Sequence, residues 1–141
     1  MNALLETWTT PFGIAPFDRI GDDDWAPAVD EALARARAAV AAIAGNPESP
    51  TFANTIAALE VADADLNRVL GAFYAVSGAD SNDAREALER EFAPQLSAYS
   101  SEVTSNKALF SRIESLWQAR DSLGLSPEEA RVLMLTRRGY V

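Results

Sequence analysis

The sequence predicts an all-α protein, an antiparallel bundle of about five helices preceded by an extended amino-terminal arm. Apolar residues recur at spacings of three and four in successive stretches, which is the period of one helix face. The sequence shows no strand-like alternation of apolar and polar residues and no hairpin turn signal. Short links join the periodic stretches, and such links are typical of antiparallel neighbours in a helix bundle.

The arm comprises residues 1–21, where no helical period is visible. Prolines alternate with aromatic residues at Pro11-Phe12 and Pro16-Phe17, a pattern that favours extended backbone. The aromatic side chains Trp8, Phe12 and Phe17 are predicted to cover a neighbouring core rather than to bind a ligand.

The helical part, residues 22–141, begins at three consecutive aspartates, Asp22–Asp24, whose negative charge is favourable at a helix amino terminus. The first helix is predicted to end at Gly45. A second helix is predicted to run from near Phe52 to about Ser77. The buried face of the first helix is predicted to comprise Trp25, Val29, Leu33, Ala36, Val40 and Ile43.

The third and fourth helices follow from their capping residues. Asn82 or Ser81 is predicted to cap the third helix, in which Pro94 is expected to cause a kink because it removes one backbone hydrogen bond. Asn106 is predicted to cap the fourth helix, and Gly124 to follow it in the left-handed conformation.

The fifth helix has the clearest start, because Ser126 and Glu129 form a capping box around a proline. Gly139 is a candidate carboxyl-terminal cap. The residues after it resemble the start of further structure, so the chain is expected to be cut from a longer one. Apolar residues meant for the missing part are then expected to lie exposed, and either to be covered in a homodimer of the fragment or to fray. They are Val132, Leu135, Tyr140 and Val141 of the fifth helix and Trp8 and Phe12 of the arm.

Composition limits the partners of the chain. Its 141 residues predict a single helical domain, 1–141, with 48% hydrophobic residues. The net charge of −9 argues against binding to nucleic acid and to anionic lipid. The amino terminus does not resemble a secretory signal, and the longest apolar runs fall well short of a membrane span. The sequence therefore predicts a cytoplasmic protein.

The chain contains no histidine and no cysteine, which argues against a catalytic site within it. Imidazole is the side chain that titrates nearest neutral pH, and imidazole and thiolate are the usual ligands of zinc. We therefore predict no catalytic, cofactor-binding or metal-binding residue in this chain. Three acidic groups are candidate metal sites, but we interpret them as capping or solvated residues. They are Asp63-x-Asp65-x-Asn67, Asp22–Asp24, and Glu86 with Glu89 and Glu91.

The chain contains, in order, the segments Trp8–Gly13, Pro16–Ile20, Thr51–Ile56 followed by Ala58–Glu60, Ala108–Ile113 and Arg120–Leu125. Together these segments resemble the amino-terminal region of the thimet oligopeptidase family of zinc metallopeptidases. The later segments are most similar to those of bacterial peptidyl-dipeptidases.

The resemblance implies that the chain is a channel-walling, non-catalytic helical portion of a cytoplasmic peptidase that cleaves short peptides. In this family zinc is held by a His-Glu-x-x-His motif and a later glutamate, and none of these ligands is present here. The implied partner is the missing carboxyl-terminal catalytic portion, which would carry the zinc. The alternative is a self-contained helical protein-interaction module with no peptidase role.

Overall fold

The computed structural model of the protein describes residues 3–5, 20–79 and 82–140. Over these residues the chain is helical and contains no strand, which confirms the predicted all-α bundle. No helix among them is both long and apolar enough to cross a membrane. The α-helices among the described residues are α1 (Trp25–Ala44), α2 (Ala58–Val61), α3 (Ala64–Ala79), α4 (Asp83–Thr104), α5 (Lys107–Gln118) and α6 (Pro127–Arg138).

Within the described residues, four short helical segments accompany the α-helices. Three are 3-10 turns, at Ala3–Leu5, at Asp22–Asp24 before α1, and at Arg120–Ser122 after α5. The fourth is a π-helical segment, Phe52–Ala57, which leads directly into α2. The wider turn of a π-helix is uncommon in proteins.

The backbone divides into two compact units, and the first contains Met1–Ala36 and Asp63–Ser97. Its core includes three aromatic rings. Phe73 of α3 lies with its ring centroid 5.3 Å from that of Trp25 and 5.2 Å from that of Phe92, the latter edge to face. Such edge-to-face packing is favoured by the charge distribution of aromatic rings.

The second unit contains Arg37–Ala62 and Ala98–Val141. In it α5 packs against α6 and against the π-helical segment. Its core is formed by aliphatic side chains with at most 2% of their surface exposed, namely Ile56, Leu109, Ile113, Leu116 and Leu133.

The predicted faces and caps agree well with the structure. All six residues predicted for the inner face of the first helix are buried. The Asn106 side chain accepts a hydrogen bond of 3.0 Å from the backbone N–H of Leu109 and caps α5. Ser126 and Glu129 form the predicted capping box of α6, and Gly124 has a positive φ of 65°.

The predicted second helix differs from the structure, because it is interrupted. After the π-helical segment, α2 ends at Val61, and α3 begins at Ala64. Asp63 precedes the first residue of α3 and its carbonyl accepts from the N–H of Asn67 at 2.9 Å. The Asp63 carboxylate accepts a 3.2 Å hydrogen bond from the side-chain amide of Asn67, in the first turn of α3.

Three of the predictions are tested by the described residues only in part or not at all. Most of the predicted arm, with its aromatic residues, lies outside the described residues. Its Ala3–Leu5 segment forms a 3-10 turn that packs on α3, with Leu4 fully buried, and Gly21 is extended. In α4 the helix continues through Pro94, and the kink stays a prediction. The single-domain interpretation of residues 1–141 also stays a prediction.

Candidate functional site

A buried guanidinium organises the polar residues of the second unit. Arg112, on α5, is 8% exposed. Its Nη1 donates hydrogen bonds of 2.9 Å to the carbonyls of Asn46 and Glu48, and its Nη2 donates one of 3.0 Å to Oδ1 of Asn54. A single side chain of α5 therefore binds both ends of the link between α1 and the π-helical segment.

The Asn54 side chain extends these contacts. Its Oδ1 also accepts from the N–H of Thr51 at 2.7 Å and from the hydroxyl of Thr55 at 2.8 Å, while its Nδ2 donates to the carbonyl of Ser49. The Thr51 hydroxyl in turn accepts from the N–H of Asn54. We call Arg112, Asn54 and these partners the Arg112 network.

The chemistry of the Arg112 network favours positioning rather than reaction. The three acceptors that receive hydrogen bonds from Arg112 are uncharged oxygens, and its Nε is buried without a hydrogen-bond partner. A guanidinium stays charged throughout the physiological pH range and cannot act as a base. Thr55 is fully buried, so its hydroxyl is not accessible to a substrate.

The second feature is the environment of Trp117 at the end of α5. The guanidinium carbon of Arg120 lies 4.1 Å from the ring centroid of Trp117, and that of Arg137 lies 5.0 Å from it. Both distances are within the range of cation–π attraction. Arg120 also donates a 2.7 Å hydrogen bond to the carbonyl of Trp117, so this arginine is held on its aromatic neighbour.

A cleft of about 520 Å³ opens beside Trp117. This volume is within the usual range of about 300–1,000 Å³ for small-molecule pockets. The turn at Gly124, where φ is +65°, sets α6 off from the preceding 3-10 turn. We call this space the Trp117 cleft, and it is lined by Trp117, Arg120, Asp121, Gly124, Leu125, Ala130, Leu133 and Met134.

The pKa values of two groups in this unit are displaced away from neutrality. The hydrogen bond from Arg137, with a smaller contribution from Gln118, lowers the pKa of Glu114 from its ordinary 4.5. Burial, and to a lesser degree the nearby Tyr99, raises the pKa of Tyr140 to about 12. Neither group is therefore poised to exchange a proton near pH 7, as a general acid or base would be.

The acidic segment Asp63-x-Asp65-x-Asn67 is engaged in local contacts. Asp65 accepts hydrogen bonds of 3.1 Å from both Arg35 and Arg68. Asn67 donates to Asp63 at 3.2 Å, so the amide and the first carboxylate contact each other. The segment lies at the break between α2 and α3, not in the middle of a helix as the sequence predicts, and its acids are only partly exposed.

The aspartates before α1 make both local and tertiary hydrogen bonds. The carboxylate of Asp24 accepts a 2.7 Å hydrogen bond from the N–H of Gly21, which caps the helix. Asp22 accepts from Arg85 at 3.0 Å and from Asn82 at 3.3 Å, and so binds the start of α4. Within residues 3–5, 20–79 and 82–140, no three acidic side chains are grouped to hold a metal ion.

The sequence analysis missed both the Arg112 network and the Trp117 cleft. A signal for the first was present, because Arg112 falls within the apolar stripe of α5 between Leu109 and Leu116. An arginine at such a position is either paired with polar partners inside the core or exposed at its edge. The cleft depends on how α5 and α6 approach each other, for which the sequence carries no comparable signal.

Comparison with known proteins adds what these helices alone do not define. The chain is 38% identical over 140 residues to the dipeptidyl carboxypeptidase of Salmonella typhimurium, and 38% identical over 141 residues to that of Escherichia coli. The alignments cover 99% and 100% of this chain but 21% of each relative, so the chain spans about a fifth of their length. No protein-family model matches the chain. The predicted resemblance to the amino-terminal region of a peptidyl-dipeptidase is confirmed.

The segments that carry this resemblance coincide with the two features described above. Asn54 belongs to Thr51–Ile56, and Arg112 belongs to Ala108–Ile113. The last of the segments, Arg120–Leu125, contributes four of the residues that line the Trp117 cleft.

Proposed function

We propose that this chain is the amino-terminal, non-catalytic helical part of a peptidase that releases dipeptides from the carboxyl ends of short peptides. The observation that carries the proposal is the 38% identity along the whole chain to two dipeptidyl carboxypeptidases. Identity at this level over about 140 residues supports a shared role within a longer protein.

The composition of the chain supports the non-catalytic part of the proposal. The sequence contains neither histidine nor cysteine, the side chains that most often act as general base, nucleophile or zinc ligand near neutral pH. The Arg112 network serves in this proposal to hold the shape of one wall of the substrate channel. Access of short peptides to the channel would depend on that shape.

Zinc is implied by the resemblance, and the residues of this chain do not fit it. Structural and catalytic zinc sites use imidazole, thiolate and carboxylate ligands, most often with at least one nitrogen or sulfur. This chain has neither histidine nor cysteine. In addition, the carboxylates of Asp22, Asp65 and Glu114 form ion pairs with arginines. We propose that zinc in the whole protein is bound outside these 141 residues and that the protein acts in the cytoplasm.

The decisive experiment is to express the complete open reading frame that contains this chain and to assay it on short peptides. Products are identified by mass spectrometry, using one peptide with a free carboxyl terminus and a matched peptide with an amidated one. We expect dipeptide release from the free peptide, little from the amidated peptide, and loss of activity with a chelator. A reading frame that ends at Val141, or a complete protein without peptidase activity, would favour the interaction module instead.

A further inference from the structure

Helix α6 carries apolar side chains on nearly all sides of its middle turn. Val132, Leu133, Met134 and Leu135 are consecutive in the sequence. Successive residues of an α-helix are about 100° apart, so four of them span most of the circumference. A turn with apolar side chains all round is expected to contact neighbours on more than one side, although the two ends of α6 are charged.

The described residues bury Leu133, and they half-bury Val132, which the sequence analysis expected to be exposed. Leu133 is 1% exposed in the core of the second unit, where α6 packs on α5. In contrast Met134 is 38% and Leu135 47% exposed. Consecutive exposed apolar residues on a helix are unfavourable in water unless another surface covers them.

This exposed side of α6 joins the Trp117 cleft, because Met134 is also one of the residues that line it. The cleft adds the apolar surfaces of Trp117 and Leu125, and its polar lining consists of Arg120 and Asp121. An apolar centre with charged residues at its margin is the usual composition of a protein interface. We call Met134, Leu135 and the Trp117 cleft together the α6 surface.

We propose that the α6 surface docks the remaining part of the same polypeptide, which inserts an apolar side chain into the Trp117 cleft. This inference rests on the proposed function, since the relatives extend well beyond the fifth of their length that this chain spans. A contact within one polypeptide forms at a high effective concentration, whereas a second copy has to associate from solution. The rest of the chain is therefore favoured over a second copy as the occupant.

The proposal is tested by hydroxyl-radical footprinting of the complete protein, on the monomeric fraction from size-exclusion chromatography. The rates of oxidation at Met134 and Leu135 are compared with the rates in the same protein unfolded in urea. Tyr74, which is 48% exposed in the first unit, reports that labelling has occurred. We expect oxidation at Met134 and Leu135 to be several-fold slower than their exposed fractions in this chain allow.

A pair of variants supplies an independent measurement. Leu135→Asp places a charge in the proposed contact and is expected to increase oxidation of Met134 in the complete protein toward its unfolded rate. Val61→Asp, at an apolar residue of the same unit that is 67% exposed, is the matched control and should leave that rate unchanged. If Leu135→Asp prevents folding, the footprint of the unsubstituted protein still decides the question.

The possible results separate the two proposals. Oxidation of Met134 and Leu135 at the rates expected for exposed side chains, in a protein that releases dipeptides, overturns the docking inference alone. Protection that appears in a dimeric fraction and is absent from the monomer also overturns it, in favour of a second copy. Protection in a monomer without peptidase activity supports docking and contradicts the proposed function.

Discussion

Nη2 of Arg112 lies 3.0 Å from Oδ1 of Asn54, and this hydrogen bond joins residues 58 positions apart in the sequence. The same guanidinium binds two backbone carbonyls of the link that begins after α1. A buried arginine bound to neutral oxygens loses hydration that its hydrogen bonds must replace. The conformation of this link therefore depends on one side chain of α5.

The first prediction concerns Arg112→Met, which should lower the free energy of unfolding by about 2–4 kcal/mol. The change removes the three hydrogen bonds that Arg112 donates, and losing hydrogen bonds to a charged group costs about 1.5–3 kcal/mol each before the relief of burying a charge is counted. Urea denaturation followed by circular dichroism measures the effect. Arg131→Met, at an exposed position of α6, is the control and should change stability by less than about 0.5 kcal/mol.

Arg112→Lys distinguishes geometry from charge at the same site. Lysine keeps the positive charge but lacks the planar fork that reaches Asn54 and both carbonyls together. We expect it to recover only part of the stability lost in Arg112→Met. Full recovery would show that the charge alone, and not the arrangement of donors, holds the link.

The sequence predicts the helices well because their signals are local. The spacing of apolar residues from Trp25 to Ile43 identifies the buried face of α1, and Asn106 and Ser126 cap the helices that follow them. Capping needs only residues a few positions apart, and a helix face only a regular period.

The Arg112 network and the Trp117 cleft lie beyond such local reasoning. Arg112 meets its partners across more than fifty residues, and its place in an apolar stripe shows only that it needs partners. The break between α2 and α3 falls inside an otherwise continuous apolar period, so the sequence predicts one uninterrupted helix there. Tertiary contacts of this kind are not encoded in any one segment.

A second prediction tests the aromatic core of the first unit. Phe73 is 1% exposed and contacts the rings of Trp25 and Phe92, so Phe73→Ala should destabilise the protein by about 3–5 kcal/mol. Leu66→Ala, at a residue 3% exposed, should cost about 2–5 kcal/mol. Thermal or urea unfolding gives both values. Val61→Ala serves as the exposed control, and core losses below about 0.5 kcal/mol would mean that the buried face is wrongly assigned.

A third prediction concerns the start of α6. The Ser126 hydroxyl accepts a 3.1 Å hydrogen bond from the N–H of Glu129, and Ser126→Ala should cost about 1 kcal/mol of stability. Ser97→Ala, at an exposed position inside α4, should be neutral or slightly stabilising because alanine is the better helix former. Equal effects of the two substitutions in urea denaturation would contradict a capping role for Ser126.

A fourth prediction follows from the lowered pKa of Glu114. Its carboxylate accepts a 2.7 Å hydrogen bond from Nε of Arg137, which is the main cause of the shift. Because the folded pKa lies below the ordinary 4.5, this contribution to stability is present above pH 4.5. It is lost as the pH falls through the folded pKa. Carboxyl-carbon NMR should show Glu114 titrating below 4.5 in the native protein.

Arg137→Met is the matched test of that cause. With the arginine removed, we expect the titration of Glu114 to move upward toward 4.5, while Gln118 still donates its 2.8 Å hydrogen bond. The pH dependence of unfolding below 4.5 should weaken in parallel. A titration midpoint for Glu114 that does not move would assign the shift to some group other than Arg137.

The last prediction is that the 141-residue chain alone neither hydrolyses peptides nor binds zinc tightly. It has no histidine or cysteine, and zinc sites in proteins are built mainly from those ligands together with carboxylates. Isothermal titration with zinc and a mass-spectrometric assay on a short peptide measure the two properties, with the complete protein as the positive control. Zinc binding at micromolar affinity by the purified chain would place ligands within these residues and contradict a site elsewhere. Peptide turnover that survives purification would also contradict the prediction. The catalytic group would then have to be a carboxylate, a hydroxyl or a lysine of this chain.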